Sequence, residues 1–113
     1  IVESDDGPAL GRVTLIPRGS GVWEAGITLS PAAQGRGLAY GAMAEALDHI
    51  FDGRSARRVF ADIDPDNTPS IQLFERLGFQ HEGRLRAVWV THLGVRDSIM
   101  MGLIDGDPKP WRG

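Results

Sequence analysis

A change of hydrophobic period near residue 30 divides this chain and limits what it can fold into. Before the change, apolar residues alternate as they do in strands. Trp23, Ala25, Ile27 and Leu29 fall on one face of Val22–Ser30, and Glu24, Gly26 and Thr28 on the other. After it, Leu38–Phe51 is rich in Ala, Met and Leu, and Tyr40, Met43, Leu47, Ile50 and Phe51 recur at helical spacing. Ser30-Pro31 ends the strand, and Gln34–Gly37 turns the chain into the helix, with Gly53 placed to close it.

The flanking segments complete an alternating order. Ile1–Ser4 and Ala9–Pro17 read as a strand pair joined by the turn Asp5-Asp6-Gly7-Pro8. Arg58–Asp64 is a further strand. Thr68 as N-cap and Pro69 as first helical residue start a second helix, with Ile71, Phe74 and Leu77 as its apolar stripe and Gly78 as its stop. Phe79–Val90 and Val95–Ile104 are the last strands, and residues 107–113 are expected to be a flexible tail. Strand, strand, strand, helix, strand, helix, strand, strand predicts an α+β fold: a mixed, mostly antiparallel twisted sheet with helices on one face. At 113 residues it is read as a single domain, 1–113.

The strand-to-helix turn is the segment with the most chemical content. A helix start offers unpaired N–H groups and the positive end of its dipole, which suits a pyrophosphate. Gly35 and Gly37 allow close backbone approach, small Ala39 does the same one step on, and Arg36 adds charge or projects to solvent. The same glycines equally serve a tight turn with no ligand. The segment is neither a P-loop nor a G-x-G-x-x-G dinucleotide turn.

Composition removes several classes. With a net charge of −3 and no basic tail, nucleic acid is a poor partner, and the cluster Arg54, Arg57 and Arg58 reads as a solvated helix-to-strand turn. Cysteine is absent, so there is no disulfide scaffold or thiol nucleophile. His49, His81 and His92 have no metal-site spacing, so no metal is expected. No apolar run reaches membrane-spanning length and no secretory signal is present, so a cytoplasmic protein away from membranes is expected.

Gln34-Gly35-Arg36-Gly37-Leu38-Ala39 resembles the Q/R-x-x-G-x-G/A signature of the GNAT superfamily of N-acetyltransferases. Asp64-Pro65-Asp66-Asn67-Thr68-Pro69-Ser70 resembles the D-P-x-N-x-x-S segment of the subgroup that acetylates ribosomal-protein N-termini at alanine or serine. Leu77-Gly78-Phe79, Glu82-Gly83 and Leu85-Arg86 resemble that subgroup's L-G-F-x-x-E-G-x-L-R pattern, and Arg96-Asp97 with Gly102-Leu103 its final strand. Members usually begin with a strand and two helices ahead of the position of Ile1, so the chain is expected to be an N-terminally incomplete GNAT domain.

The resemblance implies an acyl-CoA-dependent enzyme in which a primary amine attacks the thioester of acetyl-CoA directly, with no metal. The backbone near Leu29 would supply an oxyanion donor, and Gln34, Gly35, Arg36, Gly37, Leu38 and Ala39 would take the pyrophosphate. Asn67 would bind pantetheine, unless its amide only caps the helix start, and Ser70 would lie near the sulfur. The amine must be neutral to attack. At pH 7 deprotonation costs roughly 4–5 kcal/mol for a lysine-type amine but only about 1 for an α-amine. Glu24 matches a glutamate that the family uses as general base, and Asp62, an acid amid Phe60-Ala61-Asp62-Ile63, is the reserve. Where many relatives carry a tyrosine acid this chain has Phe74, and Ser70 is the substitute. Tyr40 reads as packing, Trp23 and Trp89 as packing that could border the acceptor cleft, and Trp111 as tail.

The acceptor stays open between a protein N-terminus and a small molecule such as a polyamine, amino-acid derivative or aminoglycoside. A non-catalytic acyl-CoA-binding module and a homodimer paired through strand edges are further readings.

Overall fold

The computed structural model describes residues 2–5, 11–29 and 38–112. Six strands form one sheet: β1 (Val2–Asp5), β2 (Gly11–Gly19), β3 (Val22–Leu29), β4 (Arg58–Ile63), β5 (Gln80–Thr91) and β6 (Gly94–Ile104), in the order β1-β2-β3-β4-β6-β5. Two helices, α1 (Leu38–Gly53) and α2 (Thr68–Arg76), and a 3-10 turn at Pro110–Arg112 complete the described chain. Every neighbouring strand pair is antiparallel except β3 with β4, because α1 carries the chain across between them. The expected fold class and element order are therefore present, with boundaries displaced by one or two residues.

The core lies between one sheet face and the helices. Val13, Leu15, Trp23, Ala25, Val59, Ala61, Ile63, Met101 and Leu103 come from the strands. Met43, Leu47, Ile50 and Phe51 come from α1, and Leu73 and Phe74 from α2. β4 shows the rule directly: Val59, Ala61 and Ile63 are buried while Arg58, Phe60 and Asp62 stay part-exposed on the opposite face. Phe74 meets Phe79 edge-on at 4.9 Å between ring centroids.

One expectation is corrected. The N-cap of α2 is Asn67, one residue before Thr68: its side chain accepts from the Ser70 N–H at 3.3 Å, and Pro69 sits in the first turn. The final segment packs against α1. Trp111 Nε1 donates to Asp48 at 2.9 Å, Arg112 pairs with Asp48 and Asp52, and Pro110 lies so close to Gly78 that a Cβ there would meet it at 2.9 Å. The basic cluster keeps its structural reading. Arg57 donates to the Ser20 carbonyl, Arg58 forms a two-point pair with Glu82 at 2.9 and 2.7 Å, and Arg54 lies over Trp23.

Candidate functional site

β3 and β4 pair in parallel from Val22↔Arg58 to Ala25↔Ala61 and then separate, although β3 continues to Leu29 and β4 to Ile63. Over Gly26–Leu29, β3 keeps its antiparallel partner β2 and, among the described residues, has none on the β4 side. The separation opens a cleft of about 250 Å³ that reaches into the sheet. Thr14, Gly26 and Ile27 line one side, Asp62, Ile63 and Asp64 the other, and Asn67, Ser70 and Phe74 of the α2 region close its end.

The cleft brings Asp62, Asn67 and Ser70 together, three of the residues singled out in the sequence. Leu29 ends the strand that borders it, and Leu38 and Ala39 open α1. Gln34, Gly35, Arg36 and Gly37 lie outside the described residues. Glu24 shares the open face with Asp62, because it stands beside Phe60 in the parallel register and Phe60 and Asp62 are two residues apart. It is not among the residues lining the cleft, and its Oε1 accepts from Arg18 Nε at 2.9 Å and Nη2 at 2.5 Å.

The carboxylates around the cleft are thus unequal. Glu24 is paired with Arg18, whereas Asp64 accepts from Arg96 Nε at 3.0 Å and Nη2 at 2.8 Å, and from the Asp66 N–H at 2.8 Å. The Arg96 guanidinium, helped by that N–H, holds the Asp64 carboxyl down to about 2, and the Asp64 and Asp66 carboxylates push Arg96 itself upward. Arg96 also reaches Asp66, so one guanidinium ties the turn before α2 to β6. Asp62 has no cationic partner among the described residues. Its Oδ1 accepts from two neutral donors, Ser98 Oγ and, at 3.2 Å, Trp89 Nε1.

Ser98 was not singled out from the sequence, and Arg96 only as part of the family-like final strand, with no role at the cleft. The available signal for Ser98 is a hydroxyl beside the apolar run Ile99-Met100-Met101, and it is fully buried here. Among the described residues, no three His, Asp or Glu side chains group as metal ligands, and no helix is long and apolar enough to cross a membrane.

The cleft between the diverging parallel strands is lined by an amide, a hydroxyl and one carboxylate without a cationic partner among the described residues, groups that can receive an extended polar ligand and an amine. Comparison with known proteins points the same way. The family model described as an acetyltransferase (GNAT) domain matches residues 1–80. An uncharacterized N-acetyltransferase, p20, of Bacillus licheniformis is 34% identical over 86 residues, which are 76% of this chain and 48% of that protein. The spermidine N(1)-acetyltransferase of Escherichia coli K12 is 32% identical over 75 residues, 66% of this chain and 40% of that protein. The crystal structure of the ribosomal-protein-S5-alanine acetyltransferase of Vibrio fischeri superposes with a TM-score of 0.80 at 27% identity, covering 89% of this chain and 57% of that one. The chain spans about half or less of the length of the curated relatives it matches.

Proposed function

The chain belongs to the GNAT acetyltransferase family, and from that premise we propose that it transfers an acetyl group from acetyl-CoA to a primary amine at the β3–β4 cleft. The divergence of the two strands beyond Ala25 and Ala61 carries this reading. It leaves backbone groups of β3 without strand partners on one side, as recognition of the pantetheine amides requires. The backbone near Leu29 then serves the developing oxyanion. Gln34, Gly35, Arg36 and Gly37, with Leu38 and Ala39 at the start of α1, take the pyrophosphate. Asn67 keeps its Oδ1 on the Ser70 N–H and offers its NH₂ to the pantetheine arm, beside the Ser70 hydroxyl.

The ammonium first gives one proton to solvent; in the transfer step the neutral amine nitrogen bonds to the thioester carbon, its second proton passes to Asp62, and the C–S bond breaks. The sulfur leaves as thiolate, whose low basicity, with a thiol pKa of about 8.5, asks little of an acid. Asp62 takes the role first given to Glu24, because Glu24 is engaged by Arg18 while Asp62, among the described residues, accepts only from neutral donors. One carboxylate at the cleft without a cation among the described residues matches one ammonium, which the α-amino group of a protein N-terminus supplies. A polyamine is the second reading, supported by the spermidine acetyltransferase relative.

Acetyl transfer to an Ala- or Ser-initiated peptide and to spermidine, followed by release of free CoA, tests both. Asp62→Asn is expected to lower kcat by about a hundredfold while calorimetric binding of acetyl-CoA persists. Glu24→Gln is expected to cost much less. Wild-type turnover in Asp62→Asn would move the base role back to Glu24.

A further inference from the structure

We propose that Ser98 and Trp89 are positioning residues that fix the Asp62 carboxylate for the acceptor amine. The inference rests on the reading of the cleft given above and deepens it. Both residues donate to the same oxygen, Oδ1, and among the described residues Oδ2 takes no hydrogen bond. Two donors from different strands restrain the carboxylate plane where either alone would let it turn. The other oxygen is then left to receive an ammonium or a proton.

The backbone register shows how each donor arrives. Asp62 stands opposite Met100, so Ser98 is its diagonal neighbour on the same face of β6. Its hydroxyl is fully buried, and a buried hydroxyl needs a partner, which Asp62 supplies. Trp89 comes from the next strand outward by way of a bulge. Leu85 pairs with Ser98 and Trp89 with Arg96, so Arg86, Ala87 and Val88 stand opposite Asp97 alone. An unbroken ladder would put Ala87 opposite Arg96; two extra residues put Trp89 there and leave the face unchanged.

The bulge is held by its own contacts. The Ala87 N–H donates to Asp97 at 2.8 Å, Arg84 Nε donates to the other Asp97 oxygen at 2.9 Å, and Ala87 takes a left-handed φ of 56°. Trp89 is 52% exposed, so packing alone gives a tryptophan there little advantage over a smaller apolar residue. Its indole N–H on Asp62 gives that residue type a use.

The test combines kinetics with a spectroscopic readout. Ser98→Ala and Trp89→Phe each remove one donor and keep most of the shape. Each is expected to lower kcat/KM about tenfold, as loss of one hydrogen bond to a charged group does. Combined with Asp62→Asn, neither is expected to add more than about twofold, because both act through the carboxylate. Losses that multiply fully in the Asp62→Asn background, or no loss in either single variant, would overturn the proposal.

Independently of turnover, the Trp89 indole N–H resonance, assigned by its absence in Trp89→Phe, should move in Asp62→Asn. It should also shift when an Ala-initiated peptide or spermidine is added to the wild type, but not when either is added to Asp62→Asn. A resonance unmoved by Asp62→Asn removes the proposed contact whatever the activity. A moved resonance in a protein that transfers no acetyl group would overturn the acetyltransferase reading and leave the arrangement around Asp62 standing.

Discussion

Gly102 shows how one residue carries a constraint from the strands on both sides of it. A Cβ on Gly102 would lie 2.5–2.6 Å from the Glu82 carboxylate atoms, and Glu82 is the extra residue of the bulge between His81↔Met101 and Gly83↔Met100. Glu82 in turn holds Arg58, which raises Arg58 and lowers Glu82 from their ordinary ranges. Gly102→Ala must push the carboxylate aside and spoil this pair. The groups are partly solvated, so the cost should be about 1 kcal/mol or less. In a Glu82→Ala background the clash disappears, and the same substitution should become neutral or stabilising, since alanine loses less backbone entropy than glycine. Urea melts of the four proteins decide it; equal destabilisation in both backgrounds would reject the contact. The sequence shows Glu82-Gly83 and Gly102-Leu103 as family-like segments, but not that the carboxylate of the one fills the space above the other.

At the scale of elements, the turn between β4 and α2 depends on Arg96. The Asp64 carboxyl is held down to about 2 by Arg96 and the Asp66 N–H. A carboxylate whose folded value is depressed stabilises the fold fully above its unfolded value near 4, and that contribution is lost as pH falls toward 2. Arg96→Met should therefore make unfolding less steeply pH-dependent between about pH 4 and 2, as followed by urea denaturation at fixed pH steps. An unchanged acid limb would show that Arg96 does not act through Asp64. The start of α2 was legible to within one residue, because Asn67 and Thr68 are both good caps and only the bond from the Ser70 N–H to Asn67 Oδ1 chooses between them. The β5–β6 hairpin was legible as two strands. Its two bulges were not, since neither the turn residues nor the apolar alternation records a local slip of register.

On the scale of the whole molecule, the C-terminal segment joins the helix layer to the rest. Lys109 Nζ donates to the Asp107 carbonyl at 2.9 Å and lies 4.7 Å from the Phe51 ring centre, and Trp111 packs against the core while donating to Asp48. Trp111→Ala should cost about 1–3 kcal/mol, read as a lower Tm by calorimetry, where a free tail would show no change. The short polar composition of this stretch concealed its packing, because its partners Asp48 and Asp52 are some sixty residues earlier.

By itself the sequence determined the order of elements, the faces of β3, β4 and both helices, and the family, because these follow from local period and contiguous motifs. It also placed Asp62, Asn67 and Ser70 as candidates. Only the tertiary structure decided that Glu24 is engaged by Arg18 and Asp64 by Arg96, while Asp62 accepts from Ser98 and Trp89. The reason is physical. A period of two fixes which face a side chain takes, but its partner on that face depends on strand order, register and bulges, which contacts distant in sequence set.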